Sequence, residues 1–357
     1  MEIGITLTAN ATRGVQSAES VQHVKWAAQY ADQHGFDIVW TTEHHFTEIA
    51  HTGSPGAILG YYAGVTERVK LGYAVAIVPL HHPMRLAEEI AWLDNLSNGR
   101  LIAGISPGWS AFEFNVLGVP LSENRERLAE GFEIVKLALS GESFSYDGKF
   151  WQIPDVKMLP VPIQGAALPF VMSTSSNPSV KLAAKWRVGP LLGFRPVETI
   201  AEQRQLFIDS CAEEGVTKDE TNALLSRLGV LRRIIITDTD EEAEEEALWG
   251  GEQARETQAR LLTVSGASEP VARLALSRSG DRTAVETADP RESGAYLGTI
   301  GGTVETVTRK LLELKAAGAG HIICGFYVGR TGGLDRVKET IRRFSAEVIP
   351  AVKATDA

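Results

Sequence analysis

Along this chain, short apolar runs give way repeatedly to amphipathic stretches. Glu2–Leu7 (EIGITL) reads as a strand. Ser20–His34 follows with Val21, Val24, Ala27, Ala28 and Ala31 at helical spacing, and Gly35 is placed to end that helix. Phe36–Thr41 (FDIVWT) is a second strand and Ala57–Val65 a second helical pattern. Val69–Pro79 (VKLGYAVAIVP) is apolar almost throughout, as suits a strand covered on both faces. The helix predicted over Pro83–Leu96 begins on a proline, whose missing N–H is harmless there. Leu101–Ile105 is the next strand. Leu128, Phe132, Val135 and Leu139 form one stripe of a helix over Arg125–Leu139. Phe170–Ser173, Leu191–Gly193, Gly229–Ile236 and His321–Gly325 complete the strands, with helices over Val197–Glu214, Asp240–Ala254 and Val304–Ala317.

Eight strands, mostly followed by helices, demand a parallel sheet, because each parallel crossover needs a covering helix. Eight such units predict a closed α/β barrel, the (β/α)8 or TIM barrel, ahead of an open doubly wound sheet. No GxGxxG follows the first strand, which weighs against dinucleotide binding. Residues 1–357 read as one domain with insertions. Asp147–Leu168 is Pro-rich and predicts a hairpin or loop excursion. Ser265–Ala295 has few large apolar residues and predicts a mobile lid or a disordered segment.

Charge narrows the partners. With 35 Lys+Arg against 45 Asp+Glu, the net charge of -10 repels nucleic-acid phosphate and anionic membrane. Cys211 and Cys324 stand far apart, which disfavours both a disulfide framework and a thiolate metal cluster. The first residues lack a signal-peptide pattern, and no apolar run approaches the length of a spanning helix. The expectation is a cytoplasmic protein.

In a barrel the loops after the strands build the active site. After the second strand stand Glu43, His44, His45 and Phe46. A histidine beside a carboxylate can move a proton near neutral pH. Adjacent histidines on an extended chain point apart, so the two do not suit one metal, and no metal is expected. After the third strand, His82 before Pro83 is held extended and shapes a helix entry, next to His81. Ser106, before Pro107 and Gly108, is weighed as a nucleophile and set aside. Ser173 to Ser179 (STSSNPS) offer hydroxyls and N–H groups where a helix begins, which suits a phosphate or a plain N-cap. Arg125 and Arg127 offer charge for a phosphate, or ion pairs with Glu123, Glu126 or Glu130. Asp240–Glu246 is acidic where a helix starts and reads as a solvated face.

EHHFTE at Glu43–Glu48 after FDIVW, together with VKLGYAVAIVPLHHP, LAEEIAWLDNLSNGR and LIAGIS, resembles the luciferase-like flavin monooxygenases. GTIGGTVETVTRKL and HIICGF continue the likeness, which is weakest between Asp238 and Ala295. The resemblance implies a (β/α)8 barrel that binds reduced FMN at its C-terminal mouth. There, O2 adds to form a C4a-(hydro)peroxyflavin that oxygenates a small organic substrate such as an aldehyde. It also implies a separate flavin reductase. His44 matches the family's catalytic histidine and His45 its neighbour, with Glu43 and Ser106 counted in the cofactor pocket. Ala74, Val75 and Ala76 fall on the strand under the isoalloxazine ring, often with a non-proline cis peptide. Ser175, Ser176 and Ser179 match the phosphate loop, and Arg125 a phosphate-contacting arginine. Ser265–Ala295 falls at the mobile lid.

Three departures stand out. Ser106 replaces a reactive cysteine, Pro107 a basic residue and Ser175 an acidic one. Relatives pair through helices near the second and third units, so a homodimer, or a heterodimer with a related chain, is expected. Rival readings are an F420-dependent oxidoreductase and a non-catalytic partner subunit.

Overall fold

Alternation along the strands sorts the apolar residues into two cores. In β1 (Glu2–Thr6), Ile3 and Ile5 face outward to the helices while Gly4 faces inward; in β2 (Ile38–Thr41), Ile38 and Trp40 face in and Val39 out. The inner core is small, built from Ile38, Trp40, Ile102, Val171, Leu191 and Ile323. The outer core, between strands and helices, is far larger.

The computed structural model describes residues 1–9, 15–47, 50–264, 289–330 and 332–355. After β2 come β3 (Lys70–Tyr73), β4 (Ala76–Ile77), β5 (Leu101–Ser106), β6 (Phe144–Asp147) and β7 (Gln152–Val156). β8 (Phe170–Ser173), β9 (Gly189–Leu192), β10 (Gly229–Ile236), β11 (Thr299–Gly302) and β12 (His321–Gly325) follow. Eight of them, β1, β2, β3, β5, β8, β9, β10 and β12, are joined by parallel pairing into a ring. The ring closes where Glu2 meets His321 and Gly229 meets Leu191. This is the expected (β/α)8 barrel. β4 prolongs the third unit against β5, and β11 pairs with the second half of β10.

The covering helices follow the predicted stripes with instructive differences. In α1 (Ser17–Gln33), Val24, Ala27, Ala28 and Ala31 are buried, but Val21 is 42% exposed and Ser20 takes the inward position. Four residues before Val24 is position 20, so the stripe runs through the serine. α2 (Pro55–Val65), α3 (Pro83–Leu96), α4 (Ala111–Val116), α5 (Asn124–Leu139) and α6 (Asn177–Trp186) follow; α4 is unexpected, and α6 starts within the Ser173–Ser179 stretch read as a helix start. The insertion after α5 is an antiparallel hairpin of β6 and β7, which begins before the Pro-rich stretch. α7 (Val197–Glu213), α8 (Lys218–Leu225) and α9 (Asp240–Val264) come next, α9 running ten residues past the expected end at Ala254. Most of the expected lid, residues 265–288, lies outside the described residues; its end carries a short helical turn at Pro290–Glu292 and α10 (Gly294–Leu297). α11 (Val304–Ala316), α12 (Gly333–Arg343) and α13 (Ile349–Ala354) finish the chain, joined by a π-helical turn at Phe344–Val348. None of the described helices is long and apolar enough to cross a membrane.

Trp40 sets the inner diameter. A Cβ on Gly72 would lie 2.1 Å from its ring, and one on Gly4 2.6 Å from its Nε1. His321 stacks on the Trp40 ring, centroids 5.3 Å apart, and burial pushes its imidazole down to about 3, so the ring is neutral. Gly72→Ala is therefore expected to destabilise by about 2 kcal/mol through overpacking. A thermal melt checks this, and Trp40→Phe should restore part of the loss in the double variant; independent, additive losses would contradict it.

Candidate active site

The loop after β2 turns Glu43, His44 and His45 across the C-terminal mouth. An extended backbone sends successive side chains to opposite sides, and the two histidines divide accordingly. His45 donates from Nε2 to Glu43 Oε1 at 2.8 Å. His44 donates from Nδ1 to Glu113 Oε1 at 3.0 Å, and the same oxygen accepts the His45 backbone N–H at 3.1 Å. A carboxylate only accepts, so the His44 proton sits on Nδ1 and its Nε2 lone pair is left for chemistry. The His44 side chain is 30% exposed, and the Trp109 ring stands edge-on at 6.3 Å.

Glu43 lies beneath. Its side chain has no exposed surface, and both oxygens are taken: His45 and His81 donate from Nε2, at 2.8 and 2.9 Å, and Ile77 from its backbone N at 2.7 Å. Burial alone would raise this carboxyl, but the donors from His45, His81 and Ile77 outweigh it and hold it at about 2. For His81, burial lowers the imidazole's pKa but the carboxylate of Glu43 prevails and raises it. Glu43, expected in the cofactor pocket, anchors two histidines to β4 in the structure.

Glu113 was not anticipated. It sits in α4, whose N-cap Ser110 accepts the Glu113 backbone N–H, a Ser-x-x-Glu spacing that was legible as a helix start. The residue is 1% exposed, and its Oε2 is buried without a protein partner. Ser106 ends β5 and accepts the Gly108 N–H at 2.8 Å. Gly104, Ser106 and Gly108 do carry the Gly-x-Ser-x-Gly spacing of a nucleophile elbow. Among the described residues, however, the hydroxyl is bonded to that turn rather than to a histidine.

Ala74 and Val75 join β3 to β4 through a cis peptide, and Ala76, the first residue of β4, is buried in the outer core. Ala74 and Val75 are half-buried against the inner core, and Val75 packs over Gly104, where an added Cβ would lie 3.0 Å from its side chain.

Ser176 and Ser179 form a capping box at the start of α6: Ser179 Oγ accepts the Ser176 N–H at 3.0 Å and donates to the Ser176 carbonyl at 2.7 Å. The plain N-cap reading thus accounts for both hydroxyls. Arg195, after β9, donates to the Ser175 carbonyl and brings a cation to this loop that sequence reasoning missed. Its own carbonyl is held at 2.6 Å by Arg232, a fully buried guanidinium that burial pushes down to about 10. Arg125 stands exposed at the start of α5, and Arg127 pairs with Glu123 at 2.8 Å. Among the described residues, no group of three or more His, Cys, Asp or Glu is arranged to hold a metal ion.

A parallel barrel with a carboxylate-anchored histidine at its C-terminal mouth places that side chain at the end where such barrels build their sites. The family model for luciferase-like monooxygenases matches residues 1–321, and the chain belongs to that family. It is 32% identical over 235 residues to limonene 1,2-monooxygenase of Rhodococcus erythropolis, an alignment covering 64% of this chain and 57% of that one. The chain thus spans little more than half of that relative's length. Its fold is shared by the oxygenating constituent of 3,6-diketocamphane monooxygenase from Pseudomonas putida, solved with FMN, at a TM-score of 0.76 and 22% identity over 99% and 98% of the two chains. An F420-dependent secondary alcohol dehydrogenase shares it at 0.73 and 18%, over 98% of each chain.

Proposed function

We propose that this chain is the oxygenase component of a two-component monooxygenase, using reduced FMN delivered by a separate reductase, and O2, to oxygenate a small carbonyl compound. The observation that carries this is the His44–Glu113 pair, which occupies Nδ1 of a partly exposed histidine and leaves its Nε2 uncommitted. Ala74, Val75 and Ala76 suit the flat ring, and the partnerless Glu113 Oε2 offers an acceptor beside it. Bound reduced flavin would supply the electrons and the centre that activates O2. The chain's own part is to hold the ring, exclude water with Trp109, and accept or return one proton at His44 Nε2. The relatives support this reading: one is a monooxygenase by name and another an oxygenating constituent solved with FMN.

The test mixes the protein with photoreduced FMN, then with labelled dioxygen and a panel of small aldehydes and ketones. Incorporation of one labelled oxygen atom into a product supports the reading. Binding of F420 in preference to FMN, with hydride transfer and no oxygen uptake, would move the chain to the F420 branch that its fold also matches.

For the FMN phosphate, the Ser175–Ser179 turn and Arg195 are the proposed contacts, with Arg125 a more exposed second cation. Arg195→Ala is expected to weaken FMN about tenfold and riboflavin hardly at all. Equal losses for the two in a fluorescence titration would remove Arg195 from the phosphate site. Pairing of two copies through α2 and α3 fits their exposed Tyr61, Trp92 and Leu96. Sedimentation at micromolar concentration should show a dimer, and monomer alone would end that proposal.

A further inference from the structure

At the opposite end of the barrel from the histidines, a cavity of about 600 Å³ opens to solvent beneath the Trp40–His321 stack. That is the size of a small-molecule site; two other cavities, of about 40 and 10 Å³, have no room for more than water. Its roof is apolar, formed by the inward Ile38, Ile102 and Val171. Two buried ring nitrogens, Trp40 Nε1 and His321 Nε2, belong to the same roof and have no hydrogen-bond partner. Gly99, Ala167 and Ala319 put little bulk across the opening.

The rim inverts the charge of the protein. Lys70, Arg100, Arg227 and Lys315 face it against one carboxylate, Glu2, in a chain whose net charge is -10. Lys70 is paired with Glu2 at 2.6 Å, and Arg100 donates to Thr66 and to backbone carbonyls. Arg227 differs. It is half-buried and its guanidinium has no hydrogen bond or ion pair among the described residues; burial pushes it down with nothing opposing. A half-buried guanidinium without a protein partner can meet an anion in the cavity it lines.

We propose that the foot of the barrel is a second ligand site, for a small apolar organic anion whose flat hydrocarbon body lies under the Trp40–His321 stack and whose carboxylate pairs with Arg227. The mouth and the foot lie at opposite ends of the strands, so this site is independent of the flavin reading. Calorimetric titration of the full chain with naphthoate, and with the neutral naphthalenemethanol, tests it. Naphthoate should bind one equivalent. Arg227→Gln should weaken naphthoate about tenfold, the scale of one charge-assisted pair, and leave the alcohol within about twofold. Ala167→Trp, a change at an exposed position on the opening, should abolish both. The proposal is overturned by the absence of naphthoate binding at millimolar concentration, by binding that ignores both substitutions, or by equal losses of the acid and the alcohol in Arg227→Gln.

Discussion

Alanine at position 44 is expected to lower oxygenase turnover on the order of 100-fold while leaving FMN affinity nearly unchanged, the range for removing one acid/base group. His44 is the histidine at the mouth whose Nδ1 proton is committed to a buried carboxylate, which leaves Nε2 to exchange protons with a bound ligand. The companion variants separate orientation from chemistry. Glu113→Leu removes the acceptor for Nδ1–H and frees the ring to rotate, so kcat should fall nearly as far as in His44→Ala while KM stays put. Glu113→Gln keeps an acceptor oxygen and should retain more activity. In the double variant His44→Ala with Glu113→Leu, the loss should be no greater than for His44→Ala alone, because Glu113 acts through the ring. Additive losses would show that Glu113 works elsewhere, and an unchanged kcat in His44→Ala would remove the histidine from the chemistry.

Period and chemistry made the barrel readable. Val69–Pro79 is apolar because most of it is buried, although Lys70 is exposed and the run breaks into β3, β4 and a helical turn rather than one strand. Leu128, Phe132, Val135 and Leu139 hold their stripe because the helix they lie on rests on the sheet. The split of His44 from His45 followed from the alternation of an extended chain. What escaped was tertiary. Glu113 lies 69 residues from the His44 it orients, and His81 lies 38 from Glu43, so local pattern could not join either pair. α4 is six residues long, too short for a periodic signal to stand out. Arg195 was overlooked for a different reason: its guanidinium serves a carbonyl on a neighbouring loop, and nothing beside it in sequence announces that. Val21 shows the converse error, an apolar residue in a plausible register that faces solvent because Ser20 holds the inward slot.

The second large effect concerns stability. Glu43→Ala is expected to cost about 3 kcal/mol, the scale for removing one partner from a buried charged cluster, because His45, His81 and the Ile77 N–H all lose their acceptor at once. Its pH dependence follows from the direction of each shift. Glu43 is held at about 2 against an ordinary 4.5, so the stabilisation it brings is complete above about 4.5 and is lost as pH falls toward 2. His81 is raised above its ordinary 6.5, so its contribution is complete below about 6.5 and is lost as pH rises through the folded value. The cluster therefore stabilises most between those limits. Melting curves for wild type and Glu43→Gln, recorded from about pH 3 to about pH 8, should diverge most in the middle of that range, draw together as pH falls toward 3, and at the alkaline end lose only the part that His81 contributes. Curves that run parallel would mean that Glu43 holds the β4 turn by shape alone, and that the charge of the carboxylate contributes nothing to the mouth it supports.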